Sequence, residues 1–388
     1  MKIIFCINTI KNFGGMERVL ISRVNYLVNK FGYEVWIITT EDESTLNKNR
    51  INFYKIDPKV KIINLDINYD NINFKDINYL IKFFLMRWKR WNHKLKLQNL
   101  IKKINPDVLV SLGDASRYIN YKIKFEGKKI LENHFNKEFF IGKNKGMKEK
   151  VKKILKGDLE RKIIDKYDEF IVLTEEDKKQ WGRNKIKVIN NPLSFYSEKV
   201  SNLENKKIIS AGRLEEQKGY DMLIDVWRIV NEKYPDWTLE IYGEGNERKK
   251  LEEKIKKMNL EKTLKLKGNT SDIKEKFLDS SIYVMSSRYE GFGLVLIEAE
   301  HCGLPLVSFK CHCGPSDIIF HGKNGFLCKV NNINEMANYI IKLIEDKELR
   351  IKMGKKARED SYKYLEENIM KQWKELYENL IEGEYNGK

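Results

Sequence analysis

The chain has 388 residues, 41% of them hydrophobic, and a formal net charge of +17. This length fits two domains of ordinary size, and the hydrophobic content is sufficient for packed interiors, which excludes a wholly disordered chain. No run of about 18 apolar residues occurs in the sequence, so no transmembrane helix is expected.

Short apolar runs alternate with helical patterns along the first half and predict strands in βαβ units. The first run, KIIFCI, reads as a strand, because MKIIFCINTI lacks the charged region, long apolar region and cleavage site of a secretory signal. The segment VINNPL (188–193) predicts a linker. The predicted strands of this half are 2–7, 34–40, 60–65, 107–113, 128–132 and 169–174.

The same alternation restarts after the linker, and its last stretch, 333–383, reads as polar helix. We therefore predict an α/β fold of two Rossmann-like doubly wound domains that face each other across a cleft. The predicted divisions are an N-terminal domain (1–190), a C-terminal domain (191–365) and a helix crossing back to the first domain (366–388). The predicted strands of this half are 206–212, 237–245, 263–269, 281–287 and 304–309.

The excess positive charge lies entirely in the first half. Residues 1–190 contain 40 Lys and Arg against 23 Asp and Glu, whereas residues 191–388 contain 33 of each. The segment 80–103 carries eight Lys and Arg with interleaved Phe and Trp and no acid. Two interpretations stay open: a domain helix with a solvated basic face, or an interfacial helix that docks on an anionic membrane.

The segment SSRYEGFGLVLIEAEHCGLP (286–305) places glycines where a predicted strand passes into a predicted helix. Gly291 and Gly293 lie at the helix N-terminus, where free backbone N–H groups favour an anionic or hydroxyl-rich ligand. Glu290 lies on this turn, and Glu298 follows eight residues later, about 12 Å along a helix. The alternative is that Glu298 is an ordinary surface residue and the glycines only shape the turn.

Two further loops favour a phosphorylated ligand. AGRLEEQKG (211–219) follows a strand and supplies Arg213 and Lys218, whose charges match a diphosphate. NFGGMERV (12–19) follows the first strand and opens a helix with Gly14 and Gly15, although it is shorter than a full GxGxxG motif.

Together these motifs resemble the retaining glycosyltransferases of family 4, which have the GT-B fold. The resemblance rests on the E-x7-E pair, on 212–219 and on the Gly-Gly-x-Glu of 14–17, with EIYGEG (240–245) and CGPSDIIFHGKNGFL (313–327) in support. It implies transfer of a hexose or N-acetylhexosamine from a nucleotide sugar, expected to be UDP-linked, to a glycan or a lipid-diphosphate-linked acceptor. It also implies that the domain 1–190 binds the acceptor and the domain 191–365 binds the nucleotide sugar. CHCGPSDII is similar to bacterial members that build capsule or other surface polysaccharides. At EAEHCG the sequence departs from relatives, which carry small or apolar residues in place of Glu300 and His301.

The resemblance assigns catalysis to Glu290 and His134, the latter in ENHFN after the fifth strand. It places the transferred sugar against Glu290, the donor diphosphate against Arg213 and Lys218, and the ribose against Glu298. A lone histidine is more often structural than catalytic, so the alternative for His134 is a structural role. The donor-binding positions carried over are Gly15, Arg213, Lys218, Gly291, Phe292, Gly293 and Glu298.

No cofactor or metal is expected, because the chain lacks the Asp-x-Asp pattern of metal-dependent glycosyltransferases. A zinc site is a weak alternative, because the spacings of its candidate ligands do not suit chelation. These ligands are Cys302, Cys311, Cys313 and Cys328, with His301, His312 and His321. The irregularly spaced cysteines also favour a reducing cytoplasm. An interfacial helix at 80–103 would place the protein at the inner face of the membrane. A nucleic-acid-binding protein is disfavoured, because no recognised motif accompanies the charge. A GT-B epimerase or phosphorylase stays open.

Overall fold

The computed structural model describes residues 1–10, 14–41, 55–69, 78–112, 116–135, 137, 147–182 and 185–383. These residues form two compact units. The first unit comprises Met1–Val172, Trp181–Ile189 and Met370–Lys388, and the second comprises Leu173–Gln180 and Asn190–Ile369. Residues 173–180, inside the predicted range 1–190, thus cluster with the second unit.

The first unit is built on a parallel sheet with the strand order β3-β2-β1-β4-β5-β6-β7. Its central strands are apolar and buried on both faces, as expected for a parallel sheet covered by helices. The three-residue strand β7 is too short to show a pattern, and its last residue begins the predicted linker. The strands are β1 Lys2–Cys6, β2 Glu34–Thr39, β3 Lys61–Asn64, β4 Val108–Leu112, β5 Lys128–Asn133, β6 Glu169–Val172 and β7 Ile186–Val188.

Helices separate most of these strands. The longest, α2, is capped by Asn78, whose side chain accepts from the Leu80 N–H, and it ends at left-handed Asn105. Leu97 and Ile101 of this helix pack on the sheet in the core of the first unit. The helices of this part of the chain are α1 Gly15–Lys30, α2 Tyr79–Ile104, α3 Arg117–Asn120, α4 Met147–Ile164 and α5 Glu175–Trp181.

The second unit repeats the pattern with a parallel sheet of order β10-β9-β8-β11-β12-β13. Both sheets therefore have the doubly wound arrangement, in which the strand order reverses beside the first strand. Strand β13 was not predicted, since GFLC is short and lies between turns. The strands are β8 Lys207–Ala211, β9 Thr238–Tyr242, β10 Leu264–Gly268, β11 Ile282–Met285, β12 Leu306–Phe309 and β13 Gly325–Cys328.

The predicted polar helical stretch 333–383 consists of three helices. Asp346 separates the first two and caps the second by accepting from the Leu349 N–H at 2.8 Å. The last helix begins in the second unit, and from Met370 onward it belongs to the first unit. The helices are α6 Tyr220–Lys233, α7 Arg248–Lys257, α8 Ile273–Leu278, α9 Leu294–His301, α10 Pro315–Ile318, α11 Ile333–Glu345, α12 Lys347–Ser361 and α13 Glu366–Glu382.

The fold class predicted from the sequence, α/β with two doubly wound parallel sheets, is confirmed. Within the ranges that the structure describes, no helix combines the length and the hydropathy needed to cross a bilayer.

Candidate functional site

The candidate site of the second unit is built from two loops, residues 212–219 after β8 and residues 286–293 after β11. Because β8 and β11 are adjacent and parallel, both loops leave the same edge of the sheet, where the strand order reverses. The loops are joined by hydrogen bonds: the Arg288 N–H donates to the Gln217 carbonyl at 2.8 Å, and the Gln217 side chain donates to the Tyr289 carbonyl at 2.9 Å.

Gly219 allows the two loops to approach this closely. Its φ is +64°, and a Cβ there would lie 2.2 Å from the carbonyl oxygen of Ser286. The Ser286 hydroxyl in turn donates to the Lys218 carbonyl at 2.9 Å. A side chain at position 219 would therefore separate the loops and move Lys218 away from the second loop.

An ion pair fixes the second loop to the start of α6. Both terminal nitrogens of Arg288 donate to the Asp221 carboxylate, at 2.9 and 2.7 Å. Burial raises the pKa of Asp221, but the Arg288 charge and hydrogen bonds outweigh burial and leave this pKa below its ordinary value. The carboxylate therefore stays ionised and keeps the pair closed at neutral pH.

Lys218 and Glu290, predicted to bind different parts of one donor, lie in direct contact. The Lys218 Nζ is 2.7 Å from Oε1 of Glu290, which also accepts from the Ser287 hydroxyl at 2.5 Å. The side chains are 15% and 7% exposed, so the pair is shielded but reachable. An ammonium beside a hydrogen-bonding carboxylate can serve an anion and an adjoining hydroxyl-bearing group at once.

Arg213 lies earlier in the same loop as Lys218 and is exposed. Among the residues that the structure describes, its guanidinium has no ion-pair partner. The cation is thus available for an anionic ligand.

Helix α9 begins at Leu294, directly after the second loop, and its N-cap is Gly293, whose φ is +94°. Glu298 is almost fully buried on this helix and accepts from the Ser194 hydroxyl at 2.6 Å. Phe292 packs edge-on against Tyr364 in the core, so only its backbone is available to a ligand. The E-x7-E spacing therefore puts one acid on the loop and one on the helix.

Glu300 and His301, the residues at which the sequence departs from its relatives, are both fully buried. Oε1 of Glu300 accepts from Asn324 at 2.8 Å, whereas Nδ1 of His301 lies 2.9 Å from the Ser361 hydroxyl. Burial raises the pKa of Glu300 well above its ordinary value. His301 thus joins α9 to α12, and Glu300 joins α9 to the turn before β13, so both side chains have a structural role.

The first unit holds the other two predicted positions, Gly15 and His134. Gly15 is the exposed first residue of α1, and the carboxylate of buried Glu17 lies against the preceding Gly14, 2.2 Å from where a Cβ on it would stand. His134 follows β5, is 8% exposed and has Nε2 3.1 Å from Oε2 of Glu132.

Four polar residues in or behind the predicted positions were not predicted from the sequence: Ser194, Ser287, Glu132 and Arg23. Ser287 was visible as a polar residue two positions after β11. Glu132 could have been found from its two-residue spacing to His134, which places both on one face of a strand. Arg23 lies inside the apolar pattern VLISRVNYLV, and a charge in such a pattern requires a buried partner.

The cysteine cluster does not form a metal site in the part of the chain that the structure describes, where no group of three or more His, Cys, Asp or Glu could hold a metal ion. All five cysteines are buried. Burial raises the pKa of Cys302 and of Cys328 to about 12, so both thiols stay protonated.

Comparison with known proteins adds independent findings. Residues 195–360 match the family model described as glycosyl transferases group 1. The chain is 33% identical to an uncharacterized glycosyltransferase of Haemophilus influenzae, over 96% of this chain and 99% of that protein. It is 27% identical to the amylovoran biosynthesis glycosyltransferase AmsD of Erwinia amylovora, over 97% and 99% of the two chains.

The fold is similar to that of a solved GT-B structure. A TarM variant from S. aureus, crystallised with Fondaparinux, α-GlcNAc-glycerol and UDP, aligns with a TM-score of 0.74. The alignment covers 97% of this chain and 99% of that one, at 22% identity.

Proposed function

Because the chain belongs to the glycosyl transferases group 1 family, we propose that this glycosyltransferase acts in bacterial surface polysaccharide synthesis, capsule included. The proposed reaction moves a hexose or N-acetylhexosamine from a UDP-linked donor to a glycan or lipid-diphosphate-linked acceptor. The observation that carries the proposal is the Lys218–Glu290 contact at the carboxyl edge of the second sheet. Relatives support the setting: one is named for amylovoran biosynthesis, and TarM was crystallised with UDP.

In the proposed donor complex each part of the nucleotide sugar contacts protein groups of complementary charge or hydrogen-bonding capacity. Arg213 and Lys218 bind the diphosphate, and the N–H groups of 291–293 face the ligand from the start of α9. Glu290 accepts hydrogen bonds from the hydroxyls of the transferred sugar, and Glu298 from those of the ribose. Lys218 exchanges part of its contact with Glu290 for the phosphate. Gly15 contacts the donor phosphates or the acceptor.

The chemical step separates charge, and the site is suited to stabilise that separation. Breaking the sugar–phosphate bond builds positive charge at the anomeric carbon and negative charge on the leaving diphosphate. Arg213, Lys218 and the positive end of α9 stabilise the leaving group. In the proposed retaining mechanism the acceptor attacks from the face that the diphosphate leaves, and the leaving phosphate takes the acceptor proton. His134 of the first unit serves the same reaction.

The proposal requires no metal ion, since the two side-chain cations would offset the diphosphate charge. Product formation is followed with a panel of UDP-, GDP- and ADP-sugars and a lipid-linked acceptor, with and without EDTA. Transfer from a UDP-sugar that EDTA leaves unchanged supports the proposal. Strict dependence on added Mg²⁺, or epimerised donor without any acceptor, would contradict it.

We further propose that α2 docks this enzyme on anionic membrane. One face of the helix, with His93, Leu97 and Ile101, is buried. A second apolar face points outward with helical spacing and is 41% to 66% exposed. Exposed apolar surface of this extent marks an interaction site. The outward face consists of Leu80, Phe84, Trp88, Trp91 and Leu95.

The charge around this face fits anionic lipid. The helix carries eight Lys and Arg and no acid. Two of the lysines are already used inside the unit, Lys89 donating to the Asn68 carbonyl and Lys96 to the Leu65 carbonyl. The exposed Arg87 and Arg90 are therefore better targets for charge reversal than Lys89.

The membrane proposal is tested by sedimentation with vesicles. Wild-type protein should sediment with phosphatidylglycerol vesicles but not with purely phosphatidylcholine ones, and the variants R87E/R90E and W88S/W91S should stay in the supernatant. Absence of wild-type sedimentation would refute the proposal. A change of oligomeric state in W88S/W91S would instead identify a second copy of the chain as the occupant.

A further inference from the structure

The first unit contains a buried series of hydrogen-bonded polar side chains that ends at His134. The guanidinium of Arg23, on α1, donates to both oxygens of the Glu132 carboxylate, at 2.6 and 2.8 Å. Oε2 of Glu132 lies 3.1 Å from Nε2 of His134. Arg23 and Glu132 are each 2% exposed, so the contact between them is closed to solvent.

The strand periodicity explains why these side chains meet. Glu132 lies near the end of β5, and His134 follows two positions later, so both side chains leave the same face of the sheet. The buried side of α1 covers that face and supplies Arg23. His134 thereby lies at the carboxyl edge of a parallel sheet, where doubly wound folds bind ligands.

The last helix covers Arg23 from another side. The Trp373 ring centroid lies 3.9 Å from the guanidinium carbon, and Trp373 stacks on Tyr377 with centroids 5.6 Å apart. Both aromatic residues are buried. The guanidinium is therefore held between a carboxylate and an aromatic face, which fixes its position.

The charge state of Glu132 sets the direction of the hydrogen bond to His134. Burial raises the pKa of Glu132, but the Arg23 charge and the hydrogen bonds from His134 and Arg23 outweigh burial and lower it to about 2. An ionised carboxylate only accepts hydrogen bonds, so Nε2 of His134 must carry the proton. In the neutral ring, Nδ1 then has the lone pair.

Nδ1 of His134 is buried and, among the residues that the structure describes, has no hydrogen-bond partner. A buried acceptor without a partner costs free energy unless a ligand or water supplies the donor. Its position after β5 and its fixed lone pair suit a hydroxyl donor.

We propose that Glu132 is a positioning residue that holds His134 as the Nε2–H tautomer, with Nδ1 aimed at a hydroxyl group of the sugar substrate. Arg23 holds Glu132, and Trp373 holds Arg23. This inference rests on the proposed function, because it assigns His134 to the sugar-transfer reaction.

The matched control is a second buried ion pair of the first unit, formed by Arg117 and Glu160, which involves neither Glu132 nor His134. E132Q and E160Q each leave a buried arginine without its carboxylate. Both variants are assayed at a temperature where circular dichroism shows them folded. E132Q should lower kcat about 100-fold with UDP binding unchanged, whereas E160Q should keep the wild-type kcat.

The tautomer is read directly from ¹⁵N-labelled histidine, with H134N identifying the resonance. The wild type should show a single Nε2–H form, and E132Q a mixture of both tautomers. Where E132Q does not fold, R23M/E132Q removes both buried charges and should fold while still showing the mixture and the low kcat. An unchanged tautomer and kcat in the folded variant, or an equal kcat loss in E160Q, would overturn the proposal.

Failure of the proposed function has a different outcome. If the wild type transfers no sugar from any nucleotide donor but shows the Nε2–H form, the glycosyl-transfer proposal fails while the positioning by Glu132 stands.

Discussion

Two ion pairs, each at the carboxyl end of a parallel strand, differ in their exposure to solvent. Arg23 and Glu132 in the first unit form two hydrogen bonds, with side chains 3% and 2% exposed. Lys218 and Glu290 in the second unit form one hydrogen bond, with side chains 15% and 7% exposed. Arg23–Glu132 is thus a sealed pair, closed to solvent, and Lys218–Glu290 is a reachable pair, accessible to a ligand.

This difference indicates what each pair can do. A sealed bidentate pair cannot exchange partners without leaving a buried charge, so it holds geometry. A lysine with a single contact and partial exposure can reorient its ammonium toward a phosphate at small cost. We therefore expect loss of the reachable pair to lower activity, and loss of the sealed pair to lower both activity and the stability of the protein.

The largest expected effect is on activity, at the reachable pair. K218A and E290Q should each lower transfer at least 100-fold, because each removes a group that we propose to bind the leaving diphosphate or the transferred sugar. Initial rates with a saturating donor measure the effect. K207A is the control, since Lys207 pairs with Asp279 at the opposite end of β8. If K207A loses as much activity as K218A, the assignment of the loop is wrong.

The next largest effect is on the stability of the protein, when the sealed pair is broken. E132Q should lower the free energy of unfolding at pH 7 by about 3–5 kcal/mol, because Arg23 stays buried without its partner. The pKa of Glu132 is about 2 in the folded chain and about 4.5 ordinarily. The wild type should keep its advantage over E132Q above pH 4.5 and lose it as the pH falls toward 2.

Chemical unfolding of both proteins at pH 7 and pH 3 measures this advantage. An advantage that is equal at the two pH values would show that the ionised carboxylate is not its source.

A smaller loss is expected at the last helix. W373A should cost about 3 kcal/mol, because it removes a buried ring and the aromatic face over Arg23. W373F should recover most of this loss, since it keeps an aromatic face. Unfolding midpoints of the three proteins are compared. Equal midpoints for W373A and the wild type would show that α13 does not stabilise the first unit.

The smallest effect is expected at Ser194, which donates to Glu298. S194A should weaken UDP-sugar binding about 10-fold, or about 1.4 kcal/mol, because the buried carboxylate loses a donor that orients it. S194T retains the hydroxyl and should bind like the wild type. Calorimetric titration distinguishes the two; equal weakening in both would argue against a role for this hydrogen bond.

Much of the fold could be predicted from the sequence because its strands are apolar and helices separate most of them. The strands that were not predicted, β7 and β13, have only three and four residues, so their pairing depends on neighbours distant in sequence. The stretch 333–383 was predicted as one polar helical region because the break at Asp346 contains neither Gly nor Pro.

The candidate site was predictable where its residues share a short motif. Glu290, Glu298, Arg213 and Lys218 were found that way, and their binding roles stay predictions. Long-range contacts were not predictable: Arg23 and Glu132 are 109 positions apart, and nothing local shows that they meet.

The proposed function is tested most directly by calorimetric titration of the wild type and K218A with UDP-, GDP- and ADP-sugars. The wild type should bind a UDP-sugar saturably and K218A should not, with both proteins equally folded. No binding of any sugar nucleotide at millimolar concentration, or equal binding by K218A, would contradict it.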